Sequence, residues 1–163
     1  MIVVADSSPL IFFTKLERLN LLRRLFGNRL TIPSQVRDEV LRPRIQSDDA
    51  YVLSKFIDEC NVVPVSRPRK FSTALSAADN AVLTLAVRKK AGRILVDERL
   101  MRRIASAEGI QVTGTIGILF AASQRRLLSP EEAVNDLRRL VRSCGFRIST
   151  AVYDAAMEAI SKV

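Results

Sequence analysis

The chain opens on a short apolar run without alternation. Ile2-Val3-Val4-Ala5 sets β-branched and small residues on consecutive positions, as a strand buried on both faces of a parallel sheet requires. Asp6, Ser7, Ser8 and Pro9 follow at once, and an acid, two hydroxyls and a proline open a helix after that strand. Leu10, Ile11, Phe12, Phe13 and Leu16 make that helix short. Arg18 to Phe26 is a second one, apolar at Leu19, Leu21, Leu22 and Leu25 and stopped by Gly27-Asn28. Leu30-Thr31-Ile32 is a brief strand. Pro33 opens a helix to about Leu41, with Val36 and Val40 on one face, Glu39 beside them and Pro43 as its end.

The alternation continues to the C-terminus. Ser47 to Glu59 is a helix started by Ser47, Asp48 and Asp49, with Leu53, Phe56 and Ile57 as its apolar stripe. Val62-Val63-Pro64-Val65 reads as an edge-type extended segment, and Arg67-Pro68-Arg69-Lys70 as a basic loop. Ser76 to Lys90 is the clearest helix, capped by Ser76, with Asp79 at its third position and Gly92 as its stop. Ile94-Leu95-Val96 is a buried strand ending at Asp97; a helix from Glu98 to Glu108 and a strand from Ile110 to Val112 follow. Thr115 to Gln124 is a largely buried helix. Ser129-Pro130-Glu131-Glu132 is a capping box opening a helix to about Arg142, and Ser149 or Thr150 opens the last one. Strands alternating with helices predict one α/β domain over 1–163, a short central parallel sheet flanked by helices, with the helices from about 129 to 163 packed on it.

Composition narrows the chemistry. The 163 residues suffice for one domain that buries roughly 70% of its unfolded surface. The formal charge of +9, from 26 Lys and Arg against 17 Asp and Glu, favours a polyanionic partner such as nucleic acid. There is no histidine. That excludes His-built zinc sites, Ser-His-Asp triads and paired-His ribonuclease chemistry, and leaves carboxylates, hydroxyls, Lys, Arg, Cys or a metal. Cys60 and Cys144 lack metal-type spacing and read as reduced thiols of a cytosolic protein. Asp6 interrupts the N-terminus before a signal peptide's apolar core develops, and the longest charge-free run, Gly109 to Gln124, is too short and polar to span a bilayer. The expectation is a cytoplasmic protein without a membrane span.

Four acids stand at element ends. Asp6 ends the first strand, Asp97 ends the Ile94–Val96 strand, Asp79 lies in the first turn of the helix feeding that strand, and Glu39 follows the second strand. Each also has a local use: Asp6 and Asp97 as helix caps, Asp79 on the helix dipole, Glu39 as a solvated residue. If all four converge on one rim they raise one another's pKa, and a hard divalent cation, Mg²⁺ or Mn²⁺, resolves the conflict.

Asp6-Ser7-Ser8-Pro9-Leu10, Ile32-Pro33 with Val36 and Glu39, Leu75 to Ala86 with Asp79, and Leu95-Val96-Asp97-Glu98-Arg99 resemble PIN-domain nucleases. Val112 to Leu119 and Gly145 to Ser149 are similar to a prokaryotic, VapC-like branch with many predicted toxins. The resemblance spans nearly the whole chain and implies a three-layer PIN-like fold. It also implies Mg²⁺- or Mn²⁺-dependent endoribonuclease activity, with Asp6, Glu39, Asp79 and Asp97 as a catalytic and metal-binding quartet and Ser8 and Glu98 in support. A homodimer and a small antitoxin partner follow from it too. Arg42, Arg44, Arg67, Arg69, Arg99 and Arg102 are the candidate RNA contacts. The branch usually has Gly-Glu and then another acid where this chain has Ala78-Asp79 and Ala81. That departure supports a rival expectation, a catalytically impaired PIN-like module that binds RNA or protein.

Overall fold

A computed structural model describes residues 1–42 and 47–163. Its centre is a five-stranded sheet in which β1 (Val3–Ala5), β2 (Leu30–Pro33), β3 (Asn61–Val63), β4 (Arg93–Leu95) and β5 (Gln111–Thr113) run parallel in the order β3-β2-β1-β4-β5. Parallel neighbours need crossovers, and helices supply them. These are α1 (Ser7–Lys15), α2 (Leu19–Phe26), α3 (Ser34–Val40), α4 (Ser47–Asp58), α5 (Ala77–Arg88) and α6 (Arg99–Ala107). After β5 come α7 (Thr115–Gln124), α8 (Pro130–Arg142) and α9 (Thr150–Ser161).

β1 lies in the middle, and all three of its residues are buried, as its unbroken apolar run requires. Val3 stands opposite Leu30 on one side, and Val4 opposite Ile94 on the other. The chain winds from β1 to β2 and β3 in one direction, then returns to lay β4 and β5 on the other side. The crevice beyond the carboxyl ends of β1 and β4 is therefore a topological switch point, where ligands enter open α/β sheets. The Asp6 N–H donates to the Leu95 carbonyl (3.0 Å) and the Val96 N–H to Thr113 (3.0 Å), so the ladder continues to the rim. Among the described residues no helix is long and apolar enough to cross a membrane.

Several boundaries shift by a residue or two from the sequence reading, and three of the differences have a clear local reason. Pro33 is the last residue of β2 rather than the opening of a helix, because its fixed φ of −60° with ψ of 141° suits extended backbone. The expected stop at Pro43 lies outside the described residues. Ile110 is held by the turn after α6, its N–H donating to Ala105 (3.0 Å), and β5 starts one residue later. Glu98 caps α6 by accepting from the Met101 N–H at 2.7 Å, which relieves Asp97 of that duty.

The C-terminal helices are tied to the body by a charge. Asp136 on α8 is 2% exposed, accepts from Arg18 Nε at 2.9 Å, and has Arg139 Nη1 at 3.7 Å. Burial pushes its pKa up, while Arg18 and Arg139 hold it down. Removing the acid takes the shortest partner from Arg18, which keeps Glu132 at 4.0 Å, and leaves Arg139 with the Leu16 and Lys15 carbonyls. We expect Asp136→Ala to lower unfolding free energy by about 2–3 kcal/mol, less than a fully buried pair because Arg18 is partly exposed. Urea denaturation checks this, and a loss under about 0.5 kcal/mol, the range of an ordinary surface substitution, contradicts it.

Candidate functional site

Asp6 occupies the first position past β1 and is 3% exposed. It sits where α1 begins, yet its side chain makes no capping hydrogen bond. Its Oδ1 is buried without a partner. Burial raises its pKa from 3.8 to about 7; the Ser7 backbone N–H opposes this, and the charges of Asp79, Glu39 and Asp97 add to it. All four acids expected from the sequence thus lie close enough for the other three to act on Asp6.

Glu39 comes to the rim from α3. Burial first, then Asp79, raise its pKa, while Arg42 and the Ser7 hydroxyl hold it down. Its Oε2 is the second buried carboxylate oxygen without a partner. Asp79 enters from the first turn of α5 and has a double role. Its Oδ2 accepts from the Ser76 N–H (3.0 Å) while its own N–H donates to Ser76 Oγ (3.1 Å), a complete capping box. The local use read from the sequence is therefore real for Asp79 and absent for Asp6.

Asp97 is positioned from the other side. Thr115, fully buried at the head of α7, donates its N–H to Oδ1 (2.7 Å) and its hydroxyl to Oδ2 (2.6 Å). Burial raises the Asp97 pKa, and the Thr115 bonds and Arg102 lower it. Gly114 makes this approach possible. A Cβ there would stand 2.7 Å from Arg102 Nη1 and 2.8 Å from Asp97 Oδ1. Spacing alone did not single out Ser7, Gly114 or Thr115. The visible signal was the Thr113-Gly114-Thr115 start of a helix, which says nothing about what the hydroxyl reaches.

The supporting and basic candidates divide. Ser8 and Glu98 line the groove that Asp97 borders, Glu98 with its carboxylate turned to the α6 cap. Arg102 anchors on the Val96 carbonyl (3.0 Å), and Arg99 and Arg103 share a shallow surface with Asp97. Arg42 acts on Glu39. Arg67 and Arg69 run along α5 away from Asp79. The Arg67 carbonyl accepts from Arg88, the Arg69 N–H donates to Thr84, and the Arg69 side chain faces Glu108 (3.8 Å). Arg44 lies outside the described residues.

The donor set fits a hard cation, since two buried carboxylate oxygens lack partners and the surrounding acids offer only oxygen. Among the described residues no three acidic, histidine or cysteine side chains form a ready-made cation cage. The acids act on one another's charge without closing into one.

The shift at Asp6 has a sign. An acid whose folded pKa is raised holds its proton in the folded state after the unfolded chain has released it. Stability therefore falls as pH climbs from about 4 to about 7, with a loss on the order of 4 kcal/mol from this group. In chelator, the melting temperature of the wild type is expected to drop across that window more steeply than that of Asp6→Asn. Scanning fluorimetry reads the difference, and parallel slopes contradict it.

No curated protein sequence matches the chain. The model of the PIN domain family matches it over residues 2–162. With a five-stranded parallel sheet and acids meeting at its switch point, that match, nearly end to end, shows that this chain belongs to the PIN-domain family.

Proposed function

We propose that the chain is a divalent-cation-dependent endoribonuclease that hydrolyses RNA phosphodiester bonds at the Asp6, Glu39, Asp79 and Asp97 site. PIN domains are usually nucleases, and this supports the general class. The observation that carries the reading further is the pair of buried, unpartnered oxygens, Asp6 Oδ1 and Glu39 Oε2, among converging acids. Uncompensated buried carboxylates cost stability, and a cation-binding role accounts for keeping them.

Asp6 and Asp97 would hold a Mg²⁺ or Mn²⁺ ion from the two central strands, with Glu39 and the free oxygen of Asp79 completing the set. Such an ion, when bound, lowers the pKa of water and stabilises charge on phosphoryl oxygens. The chain's own contribution is orientation. Thr115 fixes both oxygens of Asp97, Ser76 fixes one oxygen of Asp79, and Arg42 and Arg102 flank the acids with positive charge. Water attacks phosphorus in line and gives up a proton, one P–O bond forms, the bond to the leaving ribose oxygen breaks, and that oxygen takes up a proton from solvent. No histidine is required.

The VapC-like assignment, a toxin role, a homodimer and a small antitoxin reaching the acids with a basic side chain extend this proposal on the sequence resemblance alone. The capping box at Asp79 favours a second reading, a binding module with impaired turnover, because half of that carboxylate is already engaged. Incubation of labelled mixed-sequence RNA with the purified protein decides between them. Cleavage with Mn²⁺ that stops in EDTA supports the nuclease. RNA binding with no cleavage under either condition supports the module and overturns the nuclease.

A further inference from the structure

Beside Asp97 the rim opens into a groove of about 880 Å³. Val112 and Thr113 of the edge strand β5, Ile116 and Phe120 of α7, and the segment Gly145–Ile148 leading into α9 line it. That last segment is built into the fold. Gly145 takes a φ of +75°, a conformation that disfavours residues with a Cβ, and turns Phe146 inward so that its ring meets Phe12 edge to face at 5.0 Å.

Three arginines line the groove: Arg93, Arg102 and Arg147. Arg93 is held by the Thr113 hydroxyl and by Gln111 Oε1 (2.7 Å), and Arg102 by the Val96 carbonyl, all neutral acceptors. Among the described residues none of the three is drawn into a salt bridge. Arg93 and Arg102 are thereby held in place, Arg102 also acts on the charge of Asp97, and Arg147 is exposed at the groove's edge. The opposing acids, Asp97 and Glu98, stand at the end of the groove that meets the quartet.

An apolar slot bordered by arginines, meeting the proposed cleavage site at Asp97, matches one nucleotide of a longer chain: flat base, anionic phosphates. We propose that this groove is a nucleotide subsite. In it a base next to the scissile bond of single-stranded RNA lies against Phe120 and Ile116, while Arg93 and Arg147 meet the flanking phosphates. The proposal rests on the nuclease reading for its direction along the chain, not for the binding itself. An acidic peptide is the rival occupant; it accounts for the arginines but not for the slot's continuity with the quartet. Stacking on Phe120 tolerates every base and differs only modestly in strength among them, so the slot biases where the chain is cut rather than dictating it.

The test uses a fluorescein-labelled random RNA of about eight nucleotides, a length that covers one single-strand site, and the full chain carrying Asp6→Asn, in EDTA. Anisotropy is expected to weaken roughly tenfold with Arg147→Glu and with Arg93→Gln. Arg24→Glu, the same charge reversal on the exposed face of α2, is expected to stay within about twofold, since it leaves the groove intact. In the otherwise wild-type protein, Phe120→Ala is expected to change base preference next to the cut, read by sequencing product ends. Equal losses with Arg147→Glu and Arg24→Glu mean bulk charge alone and overturn the subsite. Unchanged RNA binding in Arg147→Glu and Arg93→Gln also overturns it, and loss of labelled polyglutamate binding in the same variants then identifies a peptide site. If the wild type never cuts RNA but the groove variants still lose binding, the subsite stands and the nuclease reading falls.

Discussion

Asp6→Asn is expected to reduce cation-dependent RNA cleavage by at least about a thousandfold, while the cation-free protein becomes more stable at pH 8. Both effects have one origin. At that pH the buried carboxylate is charged, faces three other acids, and leaves Oδ1 without a donor. Asparagine keeps the shape and removes the charge, relieving burial and repulsion together. The amide brings an unpartnered group of its own, so the net gain is about 1–2 kcal/mol rather than the full charge penalty. A residue kept only to cap α1 would show neither result, because Asp6 makes no capping bond to lose. Initial cleavage rates and urea midpoints in chelator check the pair. Lower stability with undiminished cleavage contradicts it.

The second large effect is expected at a residue that bears no charge. Thr115→Val preserves volume in a fully buried position and deletes the hydroxyl that donates to Asp97 Oδ2 at 2.6 Å. The backbone N–H bond to Oδ1 survives, so the carboxylate loses one of its two fixed contacts and gains a torsional freedom that it lacks in the wild type. Outer partners of cation-binding carboxylates are typically worth 10–100-fold in activity or cation affinity, and a loss of about that size is expected. Thr115→Ser restores the donor and is expected to recover most of the activity. The Asp97 pKa is expected to rise in the valine variant, because a bond to its charged form is gone. An upward shift of the acid limb of the pH–rate profile in valine, but not in serine, separates orientation from a packing defect. Equal activity in all three proteins contradicts the assignment.

Much of the fold was readable because its signals are local. The unbroken apolar runs Ile2–Ala5 and Ile94–Val96 identify the central parallel strands observed at Val3–Ala5 and Arg93–Leu95, and the Ser76 cap with Asp79 at its third position and the capping box Ser129/Glu132 lie where the sequence places them. The helix from Thr115 to Gln124 matches its expected bounds. What spacing does not encode is which strand ends meet. Asp6 and Asp97 are neighbours because β4 lies beside β1, and only the return crossover through α5 brings that about.

The remaining differences concern side-chain direction. Asp97 reads as a helix cap because it precedes one, yet Glu98 takes that bond and leaves Asp97 to α7. Arg67 and Arg69 read as a basic loop, and no sequence pattern shows that its backbone is tied along α5 by Thr84 and Arg88. The contact between the Ser7 hydroxyl and Glu39 joins residues 32 positions apart, and no local pattern marks it. Helix periodicity identifies a buried face; it does not tell which carboxylate on the rim is spoken for.

Divalent-cation binding by the four acids is the property on which the proposed chemistry depends. Titration calorimetry of Mn²⁺ into the wild-type protein and into Asp6→Asn at pH 7.5 measures this without reference to any RNA. The prediction is saturable binding by the wild type that Asp6→Asn weakens by at least about tenfold, with release of a fraction of a proton on binding, since a carboxyl raised to about 7 is still partly protonated at that pH. Equal binding by both proteins, or none by the wild type, would contradict the assignment of this rim as a cation site.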